Sequence, residues 1–259
     1  MKNILLALLL SMWVPVSYAA TPEEQGLAIA KEMDKRDEGF RDNRATLTMV
    51  LKNRRGDEST RKIRTLTLEV KGDGDKSLTI FDHPADIKGT AFLSYTHSRK
   101  PDDQWLYLPA LKRVKRISSS NKSGPFMGSE FAYEDLTSQE VDKYSYKYLR
   151  DDKLNGRTVF VIERYPSYKN SGYTRQIVWV DKEHYYPVKI EFYDRKNALL
   201  KTLSFSNYRQ YLKKYWRALS MSMINHQTGK STTLNWTDYR FATGLKSRDF
   251  DKNTLKRIR

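Results

Sequence analysis

Acidic pairs and histidines are the residues whose types could support acid–base or metal chemistry. None of the four histidines has a second histidine at the spacing of a metal site; they are His83, His97, His184 and His226. Adjacent carboxylates could act as the acid and base of a glycoside hydrolase, and they occur as Asp102-Asp103, Glu134-Asp135 and Asp151-Asp152. All three pairs fall between predicted strands, where acidic residues commonly form turns, so turn structure is favoured over catalysis.

Nucleophile chemistry has little support in the sequence. There is no cysteine, which excludes thiolate nucleophiles, disulfides and cysteine metal sites. Gly128-Ser129-Glu130 does not match the tight elbow of a serine hydrolase, and no phosphate loop or dinucleotide fingerprint occurs. A Ser/His/Asp triad assembled only in three dimensions stays open. We therefore predict a protein that is not an enzyme and that holds no cofactor and no metal.

A basic run is the most concentrated charge in the chain. In a strand, Lys112, Val114 and Arg116 would face one way, and Arg113 and Lys115 the other. This run could bind anionic headgroups or an acidic partner, or it could be an edge strand that its charges protect from aggregation. The whole chain carries a formal charge of +16, which favours polyanionic partners. That surface could also serve solubility alone.

The first 19 residues predict a cleaved signal peptide. Lys2 precedes an apolar run from Ile4 to Val16, and small residues follow at Ser17, Ala19 and Ala20. A retained anchor helix is the competing interpretation, but the run is shorter than the roughly 20 residues of a membrane span. Without a cysteine, no lipid can be attached at the cleavage point. The sequence thus predicts a soluble exported protein, for which nucleic acid is a poor partner, with one domain over residues 20–259.

Periodicity predicts one helix followed by many strands. Thr21 is a plausible N-cap with Pro22 after it, and Ile29, Met33 and Phe40 recur at helical spacing. Alternating patterns then predict thirteen strand segments separated by short Gly- and Asn-containing turns, which indicates an antiparallel meander. Large apolar groups occur at both alternating positions of several strands. A strongly curved sheet, with one face on a helix or cavity and the other partly covered, therefore fits better than a sheet that is covered on one side only.

A motif block between residues 75 and 136 resembles a known family. It comprises Lys76–Phe81, Pro84–Thr90, Asp103–Pro109, Lys115–Ile117, Gly128–Phe131 and Tyr133–Leu136. Together with Ile177–Asp181 and Tyr186–Ile190, these segments resemble the outer-membrane lipoprotein-sorting-like proteins, a branch of the LolA/LolB lipoprotein carriers. The resemblance covers most of the chain after residue 19. This sequence is longer and more basic than the best-known carriers, which leaves its cargo open.

The resemblance implies a mainly β fold and a carrier function. The expected fold is an incomplete antiparallel β-barrel of about 11 strands, wrapped around helices that cover an apolar cavity. The expected function is a periplasmic, monomeric carrier that holds acyl chains of a lipoprotein or lipid for transfer toward the outer membrane. Phe126–Leu136 is predicted to form part of a lid or rim. The predicted ligand-binding residues are Trp105, Tyr107, Phe126, Met127, Phe131, Tyr133, Leu136 and Trp179.

The same resemblance leaves the partner open. The predicted site for an anionic headgroup or a partner is formed by Lys112, Arg113, Lys115 and Arg116. Relatives imply an inner-membrane exporter of the resistance-nodulation-division type, or an outer-membrane acceptor, with transient contact to the membrane surface. An envelope sensor, or an adaptor subunit of a lipid exporter, is the alternative function, in which the basic face would bind a membrane protein.

Overall fold

The antiparallel strands of this chain form one open sheet. The computed structural model describes residues 19–257, so most of the predicted signal peptide lies outside the described residues. Within that part, one α-helix and thirteen strands occur. They are α1 Pro22–Asp37, β1 Asp42–Lys52, β2 Glu58–Leu68, β3 Lys76–His83, β4 Ala91–Tyr95, β5 Asp103–Leu108, β6 Arg113–Arg116, β7 Tyr144–Leu154, β8 Arg157–Pro166, β9 Arg175–Asp181, β10 Pro187–Tyr193, β11 Leu199–Tyr211, β12 Tyr215–Asn225 and β13 Ser231–Phe241.

The strand order explains why the sheet is open. It runs β6-β5-β4-β3-β2-β1-β13-β12-β11-β10-β9-β8-β7, so every neighbour is adjacent in sequence except β1 and β13. The two edges, β6 and β7, are joined by residues 117–143, which we call the strap. The mainly β, antiparallel prediction is confirmed, but the count of about 11 strands was too low and the expected several helices are one α-helix with short 3-10 turns.

The strap shows that the sheet must curl. The Tyr133 carbonyl accepts a hydrogen bond from Gln104 of β5, whereas Asp135, two residues later, pairs with Lys201 of β11. Seven steps of the sheet order separate β5 from β11, which is about 34 Å at the usual strand spacing of about 4.8 Å. Two residues span at most about 7 Å. The strap can meet both strands only because the sheet curves around it.

Helix α1 lies on the inner face beside β7. Thr21 caps it as predicted, since its hydroxyl accepts from the Glu24 amide and its amide donates to the Glu24 carboxylate. A Cβ on Gly26 would lie 2.8 Å from the backbone of Lys147 and Tyr148, so the helix backbone packs directly on the edge strand. Ile29 faces the core as expected, whereas Phe40 lies beyond the helix end.

Separate apolar clusters cover both faces of the sheet. The inner cluster joins α1, the strap and the inner side chains of the strands, including Met49, Phe126 and Met223. The outer face of β3–β5 is covered by the C-terminal segment through Leu245, Phe250 and Leu255. A third cluster lies on the outer face around Trp179. Covering on both sides explains why the strands do not read as simple apolar–polar alternation.

Candidate functional site

A cavity of about 2050 Å³ lies between the inner face of the sheet, α1 and the strap. This is about twice the upper volume of a typical pocket for a drug-sized ligand. Exposed residues such as Lys35, Lys71 and Arg99 belong to its lining, so it reaches the protein surface. Its apolar lining includes Ala30, Met33, Leu47, Met49, Phe126, Phe131, Leu136, Val178, Ile190, Phe192, Leu203, Phe205, Met221 and Leu234.

Strand alternation decides which side chains reach this cavity. In β9, Gln176 and Val178 line it, while Ile177 and Trp179 pack in the outer cluster. In β12, Met221 lines the cavity and pairs across the sheet with Phe205 and Leu234. Successive residues of a strand point to opposite faces, so a one-residue difference moves a side chain out of the site.

The strap is held by buried carboxylates. Glu134, which is 5% exposed, accepts hydrogen bonds from the Tyr168 hydroxyl, the Ser171 hydroxyl and the Gly172 amide, at 2.9, 2.9 and 2.8 Å. Burial raises the pKa of the Glu134 carboxyl, and the Gly172 amide opposes that rise. These contacts tie the strap to the β8–β9 loop.

The adjacent carboxylate ties the strap to β11. Asp135 lies 2.7 Å from the Lys201 ammonium, and both side chains are almost fully buried. Its oxygens also accept from the Ala132 amide and the Tyr173 hydroxyl. The Lys201 ammonium donates further to the Glu130 carbonyl at 2.9 Å. All the donors and acceptors of this pair therefore lie on the strap, on β11 or at Tyr173.

A third buried carboxylate secures both ends of the strap. Asp102, in the β4–β5 loop, lies 3.1 Å from the ammonium of Lys122 and 2.5 Å from that of Lys143. With three such attachments, the strap forms one wall of the cavity, and the acidic pairs at 102 and 134 act as its structural anchors. The role of Phe126–Leu136 in a lid or rim stays a prediction.

The structure brings three of the eight predicted ligand-binding residues to the cavity. Phe126, Phe131 and Leu136 line it. Met127 and Tyr133 pack against the inner core, and Tyr133 contacts the rings of Phe92 and Phe126 at 5.4 and 5.5 Å. Binding by these residues stays a prediction.

Trp105, Tyr107 and Trp179 require a correction, because they lie on the outer face. Trp105 and Tyr107 pack in the cluster beneath the C-terminal segment, while their neighbour Leu106 faces the inner core. The Lys189 ammonium lies 3.5 Å from the centroid of the Trp179 ring. Aromatic character alone does not show whether a side chain lies on the inner or the outer face of the sheet. That face depends on the position of the residue in the alternation along the strand. These three residues are withdrawn from the proposed ligand site.

The predicted basic site lies at the sheet edge, away from the cavity lining. Lys112 is in a left-handed turn, and Arg113, Lys115 and Arg116 lie on β6, all of them exposed. Val114 and Arg116 alternate with Arg113 and Lys115 as the sequence indicated. Arg116 pairs with Asp103 at 2.5 Å, whereas the described residues provide no ion pair for the other three.

Acidic side chains gather at one part of the cavity lining. Burial raises the pKa of the Asp75 carboxyl to about 7, and the nearby charges of Glu140, Asp37 and Glu69 add to the rise. Burial also raises the pKa of Glu140. The cavity surface is therefore mixed, with an acidic region in addition to the apolar wall, whereas the sequence predicted an apolar cavity.

Sequence reasoning did not single out two polar residues of the cavity wall, Arg164 of β8 and Gln176 of β9. The available signal was a basic residue, Arg164, shortly after the apolar run Val159–Ile162. The strand pattern alone indicates only a polar strand end at this position. Across residues 19–257, no group of three His, Asp or Glu side chains is placed to hold a metal ion. In the same range, no helix has the length and apolar character of a membrane span.

Comparison with known proteins assigns the chain to a family. A family model described as an uncharacterized protein matches residues 73–257. An outer membrane lipoprotein-sorting protein domain from Vibrio parahaemolyticus is 65% identical, with 90% of this chain and 99% of that chain covered and a TM-score of 0.89. The chain belongs to the outer-membrane lipoprotein-sorting family. The family resemblance predicted from the residue 75–136 block is thus confirmed.

Two further solved structures resemble this chain. A DUF1329 family protein from Desulfovibrio piger is 31% identical, covers 91% of this chain and 100% of its own, and has a TM-score of 0.86. A LolA superfamily protein from Nitrosomonas europaea is 21% identical, covers 91% and 99%, and has a TM-score of 0.71, which shows a common fold. The curated proteins include no match to this chain.

Proposed function

We propose that this lipoprotein-sorting family member is a periplasmic carrier that binds acyl chains of a lipoprotein or lipid in its inner cavity and carries them toward the outer membrane. The cavity is the observation that carries the proposal, because it is large, reaches the surface and is lined by apolar side chains from at least six strands. Family membership supports it. The role needs only binding and release, so the proposed carrier does no catalysis, and we propose that it acts as a monomer.

The physical requirement for such a carrier is a dry environment for hydrocarbon. Each CH₂ group left in water costs about 0.8 kcal/mol, so a 16-carbon chain costs about 12 kcal/mol. Side chains such as Leu203, Phe205 and Leu234 offer apolar contacts over this length. The strap is anchored, so ligand would enter past α1 or the acidic part of the lining, where the cavity meets solvent.

Filling the cavity should block binding. We expect Met221→Trp to weaken binding of a fluorescent fatty acid by about tenfold or more. The indole would occupy the space that the acyl chain needs, and each methylene contact that is lost costs about 0.8 kcal/mol. Met221 is only partly buried and faces the cavity, so the larger ring can be accepted without displacing the core. Fluorescence titration of the purified protein measures the effect.

Ile224→Trp is the matched control. Ile224 lies on the same strand, is 49% exposed and is absent from the cavity lining. It should bind the probe as the wild type does. Mass spectrometry of protein purified from the periplasm should also detect co-purified lipid. If Met221→Trp binds the probe with unchanged affinity and no lipid co-purifies, the carrier proposal is wrong.

A second proposal concerns the basic sheet edge. Arg113 and Lys115 are exposed on the edge strand β6 and Lys112 is exposed in the turn before it, with no ion pair to any described residue. We propose that they contact anionic headgroups at the membrane surface or a membrane-protein partner such as a lipid exporter or an outer-membrane acceptor. The sensor or adaptor alternative would use this same surface.

Neutralising this edge should reduce membrane binding. Each basic residue near an anionic surface contributes about 1 kcal/mol, so changing all three to Gln should weaken binding to phosphatidylglycerol vesicles about hundredfold at low salt. Co-sedimentation at two salt concentrations measures this. A control triple variant changes the exposed Lys153, Lys169 and Lys196 instead. Equal losses in both variants would mean that net charge alone, and not this edge, governs binding.

A further inference from the structure

An arginine side chain lies in the wall of the cavity without an acidic partner. Arg164 of β8 is 7% exposed and belongs to the cavity lining. Its Nε donates to the Gln176 side-chain oxygen at 2.7 Å, and its guanidinium carbon lies 4.7 Å from the centroid of the Tyr144 ring. These contacts hold the guanidinium in one orientation on the inner face.

The remaining donors of this group are free among the described residues. Between residues 19 and 257, Arg164 forms no ion pair, and its two terminal nitrogens donate no hydrogen bond. The Gln176 amide nitrogen also has no partner there, although that side chain is 2% exposed. Glu134 and Asp135 line the same cavity, but the β8–β9 loop and Lys201 already occupy their oxygens.

The unpaired donors of Arg164 and Gln176 face the open volume of the cavity, because neither side chain has a fully buried nitrogen without a partner. A guanidinium keeps its charge at all physiological pH values, so these donors can bind an anion that enters the cavity. Its planar fork matches the two oxygens of a carboxylate or phosphate, and bonds between charged groups are the strongest hydrogen bonds in proteins. The free donors of Arg164 and Gln176 therefore form an incomplete oxyanion site that faces into the cavity.

We infer that Arg164 and Gln176 bind the oxyanion of an amphipathic ligand, which is a carboxylate or a phosphate attached to an acyl chain. The Tyr144 ring packs against the guanidinium in this site. This deepens the proposed function and rests on it, since the ligand's chain would occupy the apolar part of the same cavity. In the sheet order, β8 is five strands from β13. The apolar residues Leu47 and Leu234, on β1 and β13, therefore belong to a different part of the same cavity lining.

Three ligands with one chain length test the inference. Calorimetric titration compares dodecanoate, dodecyl phosphate and dodecanol, with inorganic phosphate as a chain-free arm. We expect the wild type to bind at least one of the two anions about tenfold to hundredfold more tightly than dodecanol, as hydrogen bonds to a charged group predict. Arg164→Met should lose this preference and keep its affinity for dodecanol. If inorganic phosphate binds as tightly as dodecyl phosphate, the site is one for free phosphate and not for a lipid.

The controls separate failure of this inference from failure of the carrier proposal. Arg99→Met removes an exposed charge from the cavity lining, where Arg99 pairs with Asp142 at 3.8 Å, and should keep the preference for anions. If the wild type binds none of the chain-bearing ligands, the carrier proposal itself fails. If it binds dodecanol as tightly as both anions, the Arg164 inference is overturned while the carrier proposal stands. The wild-type comparison decides this even if Arg164→Met does not fold, and Arg164→Gln provides a second, polar variant.

Discussion

Replacing Asp135 with Ala is expected to lower the free energy of unfolding by about 3–5 kcal/mol, the usual cost of removing one partner from a buried ion pair. Asp135 and Lys201 have side chains that are 6% and 5% exposed, 2.7 Å apart. Without the carboxylate, the ammonium would keep only the Glu130 carbonyl as a hydrogen-bond acceptor, and the Tyr173 hydroxyl would lose its partner. Urea denaturation measures the loss.

The double variant Asp135→Ala/Lys201→Met identifies the cause. Because an uncompensated charge, and not the missing contact, accounts for most of the cost, removing both charges should recover more than half of it. Glu58→Ala provides the surface control, because Glu58 and Lys52 are 53% and 50% exposed and 3.3 Å apart. We expect about 0–1 kcal/mol there. A loss below about 1 kcal/mol for Asp135→Ala would mean that the strap is not anchored at this pair.

The strap also links stability to the shape of the cavity. The backbone amides at positions 131 and 135 should exchange with solvent faster in Asp135→Ala than in the wild type, since the strap would open locally. Phe126 and Phe131 form part of the cavity lining on the same segment. Loss of the anchor would therefore loosen the proposed ligand site as well as the fold.

Asp75→Asn is expected to stabilise the protein at pH 8 by about 2–4 kcal/mol and to leave it unchanged at pH 3, because one pKa unit corresponds to about 1.4 kcal/mol. The folded protein holds the pKa of Asp75 at about 7, against an ordinary value of 3.8. Below the ordinary value the carboxyl is protonated in both states and has no effect. As the pH rises toward 7, the unfolded chain releases this proton first, so the wild type loses stability. Above the folded pKa the loss is complete.

Thermal or urea unfolding between pH 3 and pH 8 measures this difference between the wild type and Asp75→Asn. Asp238→Asn, which removes an exposed carboxylate, is measured over the same pH range as the surface control. A constant difference for Asp75→Asn would contradict the assignment. Glu140→Gln should have the same sign, because burial raises the pKa of that carboxyl too and its charge opposes ionisation of Asp75.

Much of the local structure could be predicted from the sequence. The helix start at Thr21-Pro22 and the turn at Asn155-Gly156 follow from short-range rules, and both residues of that turn have positive φ. The thirteen strand segments followed from alternation, and the family followed from the motif block. These features depend on residues within a few positions of one another, and the sequence displays them directly.

The residues of the cavity lining could be predicted only in part. Phe126, Phe131 and Leu136 were found because they share one segment that also forms the cavity wall. The prediction placed three outer residues in the site: Trp105, Tyr107 and Trp179. Successive side chains of a strand point to opposite faces, and apolar clusters cover both faces of this sheet. With both faces buried, composition cannot distinguish inner from outer positions.

The sequence by itself determined the class of the molecule: a basic, cysteine-free, mainly β chain of the lipoprotein-sorting family. Only the tertiary structure decided which charged side chains meet. Asp135 joins Lys201 across 66 positions of sequence, and Arg164 lies beside Gln176 with donors open to the cavity. Asp135 meets Lys201 because the sheet curls around the strap, and the β1–β13 pairing that joins the two halves of the sheet leaves no pattern at short range. Arg164 meets Gln176 because they are paired in the register of β8 and β9, which alternation alone does not determine.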